Sequence, residues 1–186
     1  MTDIKTAKIA ILATDGYEKA ELFEPKRQLE AAGATVTIVA PKGGEIKSWD
    51  KDHWDEAMPV DKTLDAVSVE EFDALVLPGG QINPDVLRAD KTAVNFVRDF
   101  YHSGKVLAAI CHAPWLLIEA GIVKGRNVTS FNSIRTDVEN AGGLWEDSEV
   151  VTDKGLVTSR NPGDLDAFCA KIIEEIKEGR HERRAA

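Results

Sequence analysis

The stretch Val106-Leu107-Ala108-Ala109-Ile110-Cys111-His112-Ala113-Pro114 sets five apolar residues before a cysteine and opens a helix directly after it. A continuous apolar run of this length reads as a strand buried on both faces. The helical stretch Ala113–Ala120 follows and stops at Gly121. Strand, sharp turn and helix around one polar residue make the setting of a nucleophile elbow. Such a turn crowds the backbone, so the residues two before and two after the nucleophile must be small. Ala109 and Ala113 meet that demand. Pro114 fits the first helical turn, whose N–H groups lack helical partners. A thiol at a helix N-terminus is expected to have a lowered pKa. The competing reading of Cys111 is a buried packing residue, and the elbow spacing favours the nucleophile.

The same alternation extends outward in both directions. Lys8–Ala13, Thr35–Ala40 and Ala74–Leu77 read as buried strands, and Asn127–Ser130, Glu149–Thr152 and Leu156–Ser159 as shorter ones. Glu18–Ala32, Lys91–Tyr101 and Pro162–Lys177 carry apolar residues at helical spacing. Glu45–Thr63 is less regular and reads as a hairpin or excursion, and Asp153-Lys154-Gly155 as a hairpin turn. This pattern predicts an α/β fold: a mostly parallel sheet, helices on both faces and a small β-hairpin decoration. With 186 residues, one domain over 1–186 is expected, with 179–186 as a charged, solvated tail.

Composition narrows the function. The chain has 23 basic and 32 acidic residues, a net charge of −9, which argues against a nucleic-acid-binding domain. No segment approaches the roughly 18 apolar residues of a membrane span. Only Cys111 and Cys169 are present, so neither a disulfide framework nor a CxxC metal site is expected, and the cytoplasm is the expected location. No metal or cofactor is implied.

Ligands of an open α/β sheet bind beyond the carboxyl ends of its strands. Three such ends carry unusual residues: Asp15-Gly16-Tyr17-Glu18 with Glu21, Leu77-Pro78-Gly79-Gly80, and the elbow. His112 reads as a general base or proton shuttle, with a helix-capping role as the alternative. Its N–H is a candidate oxyanion donor. Gly79 and Gly80 permit close backbone approach to a ligand, or form a plain turn. Glu18 and Glu21 complement a helix dipole in any case. Glu21 reaches the elbow if the first and fourth strands are neighbours. Cys169 reads as core packing. Trp49, His53 and Trp54 suit a pocket mouth, an interface or a hairpin anchor. Arg160 suits an anion site, although Asn161-Pro162 also reads as a plain helix start. Arg180, Arg183 and Arg184 make the tail basic.

At these landmarks, together with Pro25, Glu71–Gly80 and Thr158–Pro162, the chain resembles the PfpI family, a branch of the superfamily that contains the Parkinson's-disease-associated protein deglycase. The resemblance implies a flavodoxin-like three-layer sandwich of the class I glutamine-amidotransferase type. It implies Cys111 as nucleophile, Glu21 as the carboxyl group hydrogen-bonded to it, and His112 beside it. It further implies that Asp85 of a neighbouring subunit orients the imidazole, within a dimer or hexamer. Family members are described as cofactor-free glyoxalases and deglycases acting on small carbonyl compounds or glycated proteins, as intracellular cysteine peptidases, and as general stress proteins. Carbonyl detoxification is the leading expectation, followed by peptide hydrolysis and then a redox-sensing stress protein in which Cys111 is held as sulfinic acid. A glutamine amidotransferase is disfavoured, because His181 in the tail is the only later histidine.

Overall fold

The computed structural model describes residues 2–182. The chain runs through β1 (Lys8–Leu12), β2 (Tyr17–Glu18), α1 (Lys19–Ala31), β3 (Thr35–Ala40), β4 (Glu45–Asp50), β5 (His53–Pro59), β6 (Lys62–Thr63) and β7 (Ala74–Leu77). It continues with α2 (Ile82–Ala89), α3 (Lys91–His102), β8 (Val106–Ile110), α4 (Pro114–Glu119), β9 (Asn127–Val128) and α5 (Arg135–Asn140). It ends with β10 (Leu144–Trp145), β11 (Val151–Asp153), β12 (Leu156–Ser159) and α6 (Leu165–Glu178).

The main sheet has the order β11-β12-β8-β7-β1-β3-β6, with every pair parallel except the β11–β12 hairpin. Its central strands β1, β7 and β8 are almost wholly apolar because both faces are covered. Alternate residues of β1 serve opposite layers: Ile9 and Ile11 pack with Leu22 and Phe168 of α1 and α6, while Ala10 and Leu12 pack with Val97 and Leu116 of α3 and α4. The β11–β12 turn has φ of 52° at Lys154 and 75° at Gly155, as a two-residue hairpin matching strand twist requires.

Several elements differ from the sequence expectation. Glu45–Thr63 contains the β4–β5 hairpin, with β2 added alongside β4, while β6 returns to the main sheet. β9 covers only half of the strand expected over Asn127–Ser130 and pairs with β10 away from the main sheet. The helices α2 and α5 were not expected. Pro84 suggests a turn, but it is the third residue of α2, where no helical acceptor exists for the N–H it lacks.

α2 ties the fold to its ligand edge through Asn83, which is fully buried. Its Oδ1 accepts from Thr14 N–H at 2.8 Å, and its Nδ2 donates to the carbonyls of Pro78 and Gly79 at 2.9 and 3.2 Å. One amide thus joins the loops after β1 and β7. Asn83→Ala would leave these groups unpaired, and urea denaturation is expected to show a loss of about 2–4 kcal/mol. Parental stability in that variant would rule out the latch.

Candidate active site

The strand order β3-β1-β7-β8-β12 reverses direction between β1 and β7, where a crevice opens at the carboxyl edge. A cleft of about 410 Å³ lies there, lined by Glu18, Glu21, Trp49, Gly80, Cys111, His112 and Phe131 among others. The three strand ends singled out in the sequence therefore meet.

Cys111 has φ of 64°, a left-handed conformation costly for a residue with a Cβ. Two backbone hydrogen bonds hold it. Its N–H donates to Ser159 O at 3.0 Å, extending the β8–β12 ladder, and its carbonyl accepts from Phe131 N–H at 2.8 Å. The residue is 6% exposed. Burial and the Glu21 carboxyl push its thiol pKa upward, although the N–H groups of Gly80 and His112 pull the other way. This corrects the expectation of a lowered pKa: desolvation outweighs the positive end of the six-residue helix α4.

Glu21 reaches the thiol by a route the sequence did not indicate. β1 and β8 are not neighbours, because β7 lies between them. The carboxyl instead crosses above the end of β7 at Gly79. Its Oε2 accepts from Gly79 N–H at 2.8 Å, and the thiol is a hydrogen-bond neighbour of the carboxyl. A Cβ on Gly79 would come within 2.5 Å of Glu21 Oε2 and 2.6 Å of Cys111 Cβ, so glycine is required for this contact. Glu21 is fully buried, and desolvation, aided by the charge of Glu18, pushes its pKa up to about 8. The carboxyl is therefore protonated at neutral pH. With Oε2 committed as an acceptor, the proton belongs on Oε1, which is buried without a settled partner.

His112 Nδ1 lies 3.1 Å from Cys111 Sγ, and Nε2 lies 3.1 Å from Ser133 Oγ. Burial lowers the pKa of the imidazole, so it is neutral. A protonated thiol donates to Nδ1, which places the ring proton on Nε2, donating to Ser133. The ring stacks on Phe131 at 4.8 Å and meets Trp115 edge-on at 5.2 Å. Ser133 and Phe131 escaped sequence reasoning. They lie 20 or more residues past Cys111, in and just before a short 3-10 helix (Asn132–Ile134) with no motif of its own.

Other expected residues stand apart. Asp85 is exposed on α2 and pairs with Arg88 at 2.8 Å, whereas the His112 of its own chain is bonded to Cys111 and Ser133. Trp49 lines the cleft and meets Trp54 edge-on at 5.3 Å, whereas His53 is exposed and bonded to Asp52. Arg160 is held by Asp164 and Asp147 at 2.7–3.0 Å, which satisfies its charge internally. Cys169 is buried in α6 within the core. Arg183 and Arg184 lie outside the described residues.

A cysteine elbow beside a buried carboxyl, at the crevice of a flavodoxin-like sandwich, defines a class of cysteine-centred α/β proteins. The chain belongs to the DJ-1/PfpI family, whose model matches residues 7–175. It is 46% identical over 162 residues to Protein/nucleic acid deglycase 2 of Escherichia coli (strain K12), covering 87% of this chain and 92% of that protein. It is 41% identical over 170 residues to Deglycase PfpI of Pyrococcus furiosus, covering 91% and 99%. Among solved structures, a two-domain protein with DJ-1/ThiJ/PfpI-like and ferritin-like domains from Anabaena variabilis matches with a TM-score of 0.87 and 34% identity. That match covers 92% of this chain and about half, 48%, of the other. The expected family and fold are both borne out.

The raised Glu21 pKa has a consequence for stability. A carboxyl that the fold keeps neutral contributes stability below its unfolded value of 4.5, and this is lost as pH rises through about 8. Glu21→Gln retains an acceptor for Gly79 N–H and does not titrate. Relative to the variant, the parent is expected to lose roughly 3–5 kcal/mol between pH 4.5 and 8.5 in urea denaturation. A constant difference across that range would mean that Glu21 is ionised in the fold.

Proposed function

We propose that the protein is a cofactor-free, cysteine-dependent enzyme that detoxifies reactive carbonyls, converting a glyoxal or its early adduct on a protein to a 2-hydroxy acid. The observation that carries this reading is a thiol 3.1 Å from the His112 imidazole and beside the Glu21 carboxyl, with burial favouring the neutral form of both. Both names borne by the two relatives above include deglycase, which supports the same reading.

Cys111 Sγ adds to the aldehyde carbon as its proton passes to His112 Nδ1, and the new oxyanion takes that proton back to give a hemithioacetal. The N–H groups of Gly80 and His112 stabilise the oxyanion. His112 then carries the C1 proton to C2. During this step the Glu21 carboxylic acid donates a hydrogen bond to the enediolate oxygen, as only a neutral acid can. The product is a thioester, which water hydrolyses to the 2-hydroxy acid and the free thiol. C1 is oxidised as C2 is reduced, so no external redox partner is needed. Where the substrate is an adduct, the amine of the protein is the leaving group.

Comparing the parent with Cys111→Ala on methylglyoxal, a glycated peptide and a fluorogenic peptide tests this reading. The parent is expected to process the first two, the variant to lose on the order of 10³-fold or more, and neither to cleave the third. Parental lactate formation by the variant would overturn the mechanism. Cysteine-dependent cleavage of the fluorogenic peptide would establish the peptidase instead.

The same reading includes self-association. Asp85 shares α2 with the exposed apolar residues Ile82 and Val86, the latter 50% exposed, and Phe131 is exposed beside the cleft. A second copy covering this face would bring its own Asp85 toward the His112–Ser133 pair and strengthen the orientation of the ring. Asp85→Ala is expected to lower kcat several-fold at unchanged mass in sedimentation. A fully active monomeric parent would rule out the shared site.

A further inference from the structure

At the opposite edge of the sheet, the end of α6 gathers three ligand-type side chains. Glu175 and Glu178 lie one turn apart on the same helix face. Gly179, with φ of 97°, ends the helix, and the chain turns back so that His181 N–H donates to Gly104 O at 2.8 Å. The start of the tail is thus docked, contrary to the expectation of a solvated segment. One ligand atom each from Glu175, Glu178 and His181 lies within 4.8 Å of the others.

A second observation concerns the paired atoms themselves. Glu175 is only 5% exposed, and its Oε2 is buried without a hydrogen bond, as is His181 Nε2. The two atoms are 3.1 Å apart yet lack hydrogen-bond geometry. A buried carboxylate oxygen facing an imidazole nitrogen in this way is compensated either by a proton on the ring or by a metal ion bound to both, and the missing hydrogen-bond geometry favours the metal. Two ligands bound to one tetrahedral zinc at 2.0–2.1 Å stand roughly 3.3 Å apart, close to the separation seen. The nearby Lys171 is engaged by Glu174 at 2.7 Å.

We infer that Glu175, Glu178 and His181 form a site for a divalent transition-metal ion, with zinc the best fit, that fastens the start of the C-terminal tail to Gly104. A set of two carboxylates and one imidazole suits zinc or cobalt, and water would fill the fourth position. The site is distinct from the Cys111 cleft and bears on stability rather than on the reaction.

The test uses the full chain carrying Cys111→Ser, which removes the competing thiol of the cleft while Cys169 stays buried in the core. Isothermal titration with zinc chloride is expected to show one equivalent bound, and the melting temperature should rise with zinc. Adding His181→Ala, or separately Glu175→Gln, should weaken binding by at least the ~10–100-fold that loss of a supporting residue costs. Both should abolish the rise in melting temperature. Exposed Glu178→Gln provides a third variant should either buried change unfold the protein. Cobalt in place of zinc should give tetrahedral absorption bands with no thiolate charge transfer. Zinc binding equal in all these variants, or no binding at all, would overturn the site.

Discussion

A space too small for a methyl group, above Gly79, is the constraint on which this site depends. Glu21 arrives from a helix that follows β1, and Cys111 stands at the end of β8. β7 separates the two strands, so the side chains can meet only over the end of that intervening strand. Any Cβ at Gly79 would overlap both. The Gly79 N–H, left uncovered by a side chain, then serves as the hydrogen-bond donor that positions the carboxyl. Close approach and orientation come from the same missing atom.

The remaining chemistry follows from enclosing this contact. Burying a carboxylic acid beside a thiol disfavours charge on either, so the resting pair is neutral. A neutral pair needs a separate proton acceptor, and His112 is placed as one because Phe131 and Ser133 fix its ring. The left-handed backbone at Cys111 stores strain that the Ser159 and Phe131 backbone bonds offset. Those partners are the last residue of β12 and a residue of the segment after β9, so the elbow is sustained by chain segments far from it in sequence.

Much of this was legible in the amino-acid order. Parallel strands buried on both faces leave uninterrupted apolar runs, and each main-sheet strand of four or more residues was visible in that way. The elbow was legible because crowding limits the positions flanking it to small residues. Less visible were α2, where Pro84 and Asn83 have turn-like propensities although both sit well in a first helical turn, and α5, which is short. Arg160 looked like an anion binder because its counter-charges, Asp147 and Asp164, are assigned to it only by the fold.

The sequence by itself determined which residue types stand at the ends of the strands and that those ends share one edge, because strand direction follows from short-range alternation. Tertiary structure alone decided the protonation of Glu21 and Cys111, since desolvation depends on every atom packed around a group. It also decided the route of Glu21 over Gly79, the intrachain pairing of Asp85 with Arg88, and the return of His181 to Glu175. The route of Glu21 depends on distances between segments remote along the chain, for which the order of residues carries no local signal. The Asp85 and His181 pairings are close in sequence and depend instead on Ile82–Ala89 being helical and on the chain turning back at Gly179.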